Sequence, residues 1–455
     1  MTRQEAAIQY LENNYLQFNR LRYDVVGGKL QIRDANNHWR EMTKQEINSA
    51  VCACAQEYQI NVTNREIITV LQSNIVPSVH PLREYVLSCP DYNPGTEIDW
   101  IDWVAQKVTV KPSLLSDDRP KGLLDRTSCC ETTALRDRTE GAERPMESLS
   151  EQRERSKAER LWRGCFKKWF VAMVASWMKD EVVNHQVLVL IGKQGIFKTT
   201  WLEHLIPPHL RAYACKLANS NDLNKDERLR IAEFGLISLD EIDSMNNREL
   251  NQLKSVITAT DVNERAAYAY TKERRVRLAS FCASGNRRDF LTDITGNRRW
   301  LPFEVESIQN PFTTILPYER MYAQAWALAQ DPLFSYWFDL EEIEVLEQHN
   351  QYFRDESNEE QLLPILFDVP AEDRGEFMTT AQISERLVTY GNIKKPMALS
   401  RLGMVLGSAG FRAVTRKAGS GRARGWIVYQ RDNDEIKSLR RLLKDETSQL
   451  DTAIY

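Results

Sequence analysis

The stretch QVLVLIGKQGIFKTTWLEHLI, residues Gln186–Ile206, combines three signals that must be read together. Val187–Ile191 is an unbroken apolar run, the mark of a strand buried inside a sheet. It passes without a spacer into Gly192-Lys193-Gln194-Gly195-Ile196-Phe197-Lys198-Thr199-Thr200, and a helical pattern follows at once. A tight loop between a buried strand and a helix turns successive backbone N–H groups toward its centre, and the positive end of the helix dipole adds to them, so a phosphate is held there. Gly192 and Gly195 permit the turn. Lys198 would set its ammonium on the β- and γ-phosphates of ATP, the Thr199 hydroxyl would complete a Mg²⁺ shell, and Thr200 is a weaker candidate. Phe197 departs from the pattern, standing where G-x-x-x-x-G-K-Ser/Thr has its last glycine. Taken alone, the loop also admits an ordinary glycine-containing turn.

From His185 to about Val305 short β-rich apolar runs alternate with helical segments, the pattern of an α/β domain around a central sheet. The expected strands are Val187–Ile191, Gly235–Leu239, Leu278–Ala283 and Trp300–Val305. FGLISLDEIDSM ends its strand on adjacent carboxylates, Asp240 and Glu241. An Asp at a strand's carboxyl end can hold the Mg²⁺ water shell, while the neighbouring Glu orients and deprotonates the attacking water. A plain strand exit into a polar turn is the competing reading. RLASFCASGN delivers Asn286 to an edge of the same sheet, where its amide would sense a γ-phosphate; Gly-Asn is equally a common turn. LTDITGNRRW carries Arg298 and Arg299 ahead of a strand. A guanidinium reaching in from a neighbouring subunit would stabilise charge on the transferring phosphoryl group, so hydrolysis would require assembly.

In their order and rough spacing GKQGIFKTT, LISLDE, ASGN and FLTDITGNRRW resemble the virulence-associated E (VapE) family of phages and mobile elements, whose members resemble superfamily 3 helicases. The resemblance spans Trp162 to Phe303 well, and HPLREYV and WIDWVAQKV more loosely. It implies an AAA+-like P-loop ATPase core, assembled as a homo-oligomeric ring, that uses ATP to move along or remodel DNA during replication of a mobile element. It also implies nucleotide-site roles for Lys198, Thr199, Asp240, Glu241, Asn286 and Arg298. No primase polymerase domain is evident upstream, so priming is not implied. In related helicases a hairpin between the acid-bearing and Asn-bearing strands points into the ring's channel. Here that segment holds Tyr268, Tyr270, Lys272, Arg274 and Arg275, and aromatics with cations suit single-stranded DNA; a solvated basic turn is the alternative.

The rest of the 455-residue chain is read by composition and periodicity. Residues 1–111 form a mixed, mostly helical domain with a hairpin at Gly27-Gly28, between Leu21–Val26 and Lys29–Arg33. Helices are expected after the capping boxes Thr43/Glu46 and Thr63/Glu66. Residues 112–158 read as a flexible charged linker, with a partner-binding tether as the alternative. The ATPase core is assigned 159–311, opening with a helix from Glu159 that aligns Leu161, Trp162, Cys165, Phe166, Trp169 and Phe170. Residues 312–370 are a helical segment with a solvated acidic face, 371–433 a winged helix, and 434–455 a charged tail.

The winged-helix reading comes from helices beginning at Thr379 and covering Met397–Ala409, followed by two short strands flanking AGSGRARG. Gly391 to Arg431 contains no acidic residue, while Lys394, Lys395, Arg401, Arg412, Arg416, Lys417, Arg422 and Arg424 accumulate there. That is the footprint of binding to the phosphate backbone of duplex or forked DNA, against the alternative of a protein-interaction winged helix.

Hydrophobic and charged contents of 42% and 27% are those of ordinary globular proteins, and a net charge of −4 argues against a wholly basic surface. The polar, amphipathic start lacks a signal-peptide pattern, so a cytoplasmic location is expected. Trp169–Met178, flanked by Lys168 and Lys179, is too short to span a bilayer, and no membrane anchor is implied. The eight cysteines include no CxxC pair and no His at zinc-ligand spacing, which favours reduced thiols. Two rival functions stay open: a P-loop regulator or loader that binds DNA without unwinding it, and, given Phe197, a DNA-binding repressor that does not hydrolyse ATP.

Overall fold

The computed structural model describes residues 1–112, 149–217, 230–264, 273–292, 297–370, 375–418 and 421–439. Most of the expected linker, Tyr268, Tyr270 and Lys272, and the tail from residue 440 lie outside them. The chain divides into two compact units, one of Met1–Arg288 with Arg298–Tyr352, the other of Asp289–Asn297 with Phe353–Tyr455.

In the first unit, β1 (Leu21–Asp24), β2 (Lys29–Arg33), β3 (Trp39–Glu41) and β4 (Ser78–Val79) form a sheet in the order β3-β2-β1-β4. The first hairpin turns at Gly28, whose φ of +65° glycine takes without strain. Helices Lys44–Tyr58 and Asn64–Leu71 start at Thr43 and Thr63, each with its glutamate three residues on returning to the cap backbone. Residues up to Val76 enclose their own apolar cluster, whereas Leu82, Val86, Ile101 and Val104 join the main core. β5 (Val108–Val110) completes that merger by pairing antiparallel with a strand of the central sheet. Sequence reading set residues 1–111 apart from the core; here their last thirty or so residues are built into it.

The central sheet contains β5, β6 (Val187–Ile191), β7 (Ala214–Leu217), β8 (Leu236–Leu239), β11 (Ser280–Gly285) and β12 (Trp300–Ile308), with a hairpin of β9 (Asp261–Glu264) and β10 (Glu273–Val276) preceding β11. The strand order is β5-β12-β6-β11-β8-β7, and all pairs but β5–β12 are parallel. Every residue of β6, β8 and β11 is buried, as a parallel sheet covered on both faces requires. The edge strand β7 escapes a hydropathy reading because its sequence, ACKL, is short and interrupted by Lys216, and only Leu217 is buried.

The long helix Leu149–Met178 covers the sheet and begins ten residues earlier than the apolar stripe suggested. Trp162, Phe166, Trp169, Phe170 and Trp177 are fully buried along it. Buried indoles usually find acceptors for their N–H groups. Those of Trp162, Trp169 and Trp177 donate to the carbonyls of Ala105 (2.9 Å), Phe281 (3.0 Å) and Gly235 (3.1 Å). The same helix carries Lys168, whose ammonium is buried against the Glu342 carboxylate at 2.5 and 2.7 Å. No helix of the described residues is long and apolar enough to cross a membrane.

The second unit contains helix Asn358–Leu366, β13 (Phe367–Asp368), β14 (Glu376–Met378), helices Thr380–Gly391 and Leu399–Ser408, then β15 (Arg412–Ala418) and β16 (Gly421–Gln430). β16 pairs with β13, β14 and β15, and Leu402, Leu406, Trp426 and Val428 close its core.

Candidate functional site

The loop after β6 turns sharply against the sheet. A Cβ on Gly192 (φ +156°) would sit 2.7 Å from the Val305 carbonyl oxygen, so no larger residue fits there. Gly195 follows at φ +87° and Phe197 at φ +67°. The place the motif reserves for glycine is thus a left-handed one, and Phe197 adopts it at a cost of about 1–2 kcal/mol. Phe197 therefore holds the left-handed turn at a steric cost that glycine would not incur. Helix Lys198–His204 begins immediately, with Trp201 N–H donating to the Phe197 carbonyl at 2.8 Å.

Lys198 folds back into the loop, only 6% exposed, and its ammonium donates to the carbonyls of Gly192 and Lys193 at 2.7 Å each and to Asn286 Oδ1 at 3.3 Å. Burial lowers its pKa, against the opposing charges of Asp243 and Asp240. The Thr199 hydroxyl donates to Asp240 Oδ1 at 3.2 Å and lies 2.9 Å from Ser284 Oγ, which donates to the same oxygen at 2.7 Å. The other Asp240 oxygen meets the Lys216 ammonium at 2.7 Å. Burial pushes the Asp240 carboxyl up, but the hydrogen bonds from Lys216, Ser284 and Thr199 outweigh it and hold the group below the usual carboxylate range.

Sheet order explains this convergence. β11 lies between β6 and β8, with Gly285 beside Ile191 and Ala283 beside Leu239, so three strands end at one edge. Glu241 leaves β8 exposed and at φ +52°, a sharp exit that only a tight turn imposes on such a residue. Asp243 accepts from the backbone N–H groups of Asn286 and Arg287 at 3.1 Å each, which fixes the turn carrying Asn286. Lys193, Gln194, Gly195 and Phe197 are exposed at the rim, Ile196 and Thr200 half-buried.

One carboxylate and one hydroxyl, Asp240 and Thr199, form a donor set that suits Mg²⁺, which keeps several waters and takes its remaining ligands from phosphates. Among the described residues no group of three or more His, Cys, Asp or Glu forms a dedicated metal cage. Among the described residues Cys52, Cys54, Cys89, Cys165, Cys215 and Cys282 are in no disulfide.

Arg298 and Arg299 are not brought to this edge. They precede Trp300, which pairs with Val187 at the start of β6, whereas the loop leaves β6 at its end. At about 3.3 Å per residue that separates them by roughly 15 Å along the strands. Arg298 is exposed and Arg299 half-buried.

The candidate DNA contacts are scattered. Lys272 lies outside the described residues; Arg274 sits on β10 opposite Asn263, and Arg275 pairs with Glu233 at 3.4 Å. In the second unit Lys394 and Lys395 are exposed after helix Thr380–Gly391. Arg401 is engaged, 3.8 Å from Glu360 and donating to the Thr292 carbonyl at 3.2 Å. The β15–β16 hairpin exposes Arg412, Arg416, Lys417, Arg422 and Arg424. Lys417 stands directly across from Arg422, and Arg416 lies over the Phe377 ring at 5.2 Å.

Sequence reading missed three participants. Ser284 was accessible through strand periodicity, since it shares a face with Asn286 two residues on. Asp243 lies in the quoted DEID run, but its role depends on where β11 ends. Lys216 reaches Asp240 from β7, a strand the sequence did not announce.

The geometry defines an α/β protein with a strand–loop–helix lysine and a strand-end carboxylate at one edge of a parallel sheet. Residues 138–359, just under half of the chain, match the family model of the virulence-associated protein E-like domain, so the middle of the chain is similar to that family. Among solved structures the chain is similar to the apo NrS-1 C-terminal region (305–718), with 11% identity over 93% of this chain and 99% of that one and a TM-score of 0.42. A second structure of that region, an A-form apo structure, gives 11% identity, the same coverage and a TM-score of 0.40. No curated protein matches.

Proposed function

We propose that this chain is a Mg²⁺-dependent P-loop ATPase with an AAA+-like core that acts as a DNA helicase or translocase in the replication of a mobile element. The observation that carries the reading is the convergence of the Lys198 ammonium, the Thr199 hydroxyl, the Asp240 carboxylate and the Asn286 amide at one sheet edge. The loop N–H groups and Lys198 bind the β- and γ-phosphates of ATP, and Asn286, already hydrogen-bonded to Lys198, reports on the γ-phosphate. Thr199 and Asp240 would hold Mg²⁺, which neutralises charge on the phosphate oxygens. Glu241 orients and deprotonates the attacking water, and its exposed place past the strand end leaves room for that water.

Arg298 and Arg299, remote from their own loop, act on the nucleotide of a neighbouring copy, which is why a ring is proposed. Helix, helix and hairpin in the second unit support a winged helix, and its acid-free run of cations supports contact with duplex or forked DNA. The loop retains its turn despite Phe197, which favours hydrolysis over a vestigial, repressor-like fold.

The test is ATP turnover by the full chain with and without single-stranded DNA, beside strand displacement on a forked duplex. Lys198→Ala is expected to weaken ATP binding, and Glu241→Gln to leave ATP bound while turnover falls by about 10²-fold or more. Wild-type turnover in Glu241→Gln removes it as the base. Turnover without strand displacement would favour a loader.

A further inference from the structure

Phe312 lies beyond β12 and is 70% exposed, yet its loop is ordered. The Asn310 side chain accepts from the Phe312 N–H at 3.0 Å, and the Asn310 carbonyl accepts from those of Thr313 and Thr314 at 3.2 and 3.1 Å. The Phe312 ring meets Phe197 edge-on, with centroids 6.3 Å apart and planes at 80°, and meets His204 at 5.4 Å and 87°. Phe197 immediately precedes Lys198, and His204 lies seven residues on, on the same side of the helix. An aromatic face therefore borders the lysine loop on its helix side.

The hydrophobic core does not account for these rings. Phe197 keeps 36% of its surface exposed, and it holds a left-handed backbone that glycine would adopt freely. A strained residue that presents a ring at the rim of a binding loop points to a ligand for that ring. The base of a nucleotide hangs from the α-phosphate through its ribose, so it must rest on the rim of a phosphate loop rather than within it. Phe197 is the rim residue next to Lys198, and Phe312 extends the same apolar ground outward.

We propose that Phe312, braced by Phe197, is a stacking platform for the purine base of the nucleotide whose phosphates the Lys198 loop holds. The assignment rests on the P-loop reading above and adds the residues that select the base. Stacking on a phenyl ring rewards the larger purine face without hydrogen-bond readout, so ATP and GTP bind similarly and CTP more weakly.

The experiment is calorimetric binding of ATP, CTP and inorganic tripolyphosphate, each with Mg²⁺, to the full chain and to Phe312→Ala, Phe312→Tyr and Lys198→Ala. Because Phe312 is exposed, its replacement leaves the folded core intact. Phe312→Ala is expected to bind ATP about ten-fold more weakly and tripolyphosphate unchanged, and Phe312→Tyr to bind ATP as the wild type does. Unchanged ATP affinity in Phe312→Ala overturns the platform. Equal loss of ATP and tripolyphosphate also overturns it, and a fall in assembly mass alongside would make Phe312 a contact between copies. A wild-type chain that binds neither ligand, or tripolyphosphate binding insensitive to Lys198→Ala, overturns the phosphate site itself and the platform with it.

Discussion

Phe197 occupies a backbone well that glycine enters freely and a side chain enters at a cost, so its replacements separate turn geometry from side-chain contacts. Phe197→Gly relieves the left-handed strain but widens the unfolded ensemble, and these effects oppose each other. Stability within about 1 kcal/mol of the wild type is expected by urea unfolding. Phe197→Val places a β-branched residue at φ +67° and is expected to lose about 2 kcal/mol. Equal stability of the Val and Gly variants would mean that the turn relaxes out of the left-handed region. Glu241 at φ +52° poses the same question at the strand exit, where the strain places a carboxylate beyond a fully buried strand.

Helix Leu340–Gln351 shows how an element is fastened to the sheet through polar groups that cannot change charge freely. His349 is fully buried, and its Nε2–H donates to the Pro302 carbonyl of β12 at 2.6 Å, while Asn350 donates to Trp300 at 3.1 Å. Burial pushes the His349 pKa down from 6.5 to about 4, against a smaller upward pull from Pro302. Between those two values the unfolded chain binds a proton that the folded chain does not. Stability is therefore full above pH 6.5 and falls as pH drops toward 4. His80 is lowered to about 4 as well, chiefly by burial, and acts in parallel. The His349 share is isolated by comparing urea midpoints at pH 7 and 4.5 in the wild type and in His349→Gln, whose amide can still donate to Pro302. A smaller loss in the variant is expected, and an identical loss in both would clear His349 of the effect.

For the molecule as an assembly, the opposite-edge placement of the arginines makes a sharp demand. Chains with Glu241→Gln and chains with Arg298→Ala and Arg299→Ala, each inactive alone, should recover turnover when mixed. A mixed contact then pairs an intact Glu241 site with intact arginines. No recovery in a mixture shown to co-assemble would remove the arginines from catalysis in trans. The β15–β16 hairpin sets Lys417 against Arg422 across the strands, a like-charge pairing that is unfavourable unless a polyanion lies on it. Changing Arg422 and Arg424 together to Ala is expected to lower DNA affinity. The slope of log affinity against log salt should flatten by as much as ~1.8, at ~0.9 per lost phosphate contact. An unchanged slope would place DNA elsewhere.

Local physics wrote much of this into the sequence. Val187–Ile191 is a strand because its five apolar residues, three of them β-branched, run straight into the glycine loop and suit a sheet buried on both faces, and its bounds are those expected. The capping boxes at Thr43 and Thr63 and the helices of the second unit likewise depend on neighbours within a few residues. Which strand lies beside which is a long-range matter. Only the folded sheet set β11 between β6 and β8, joined β5 to β12 and carried Lys216 to Asp240. Phe197 marks the boundary between the two: its identity argued against the turn, and only the folded loop shows that it adopts the left-handed conformation its own side chain disfavours.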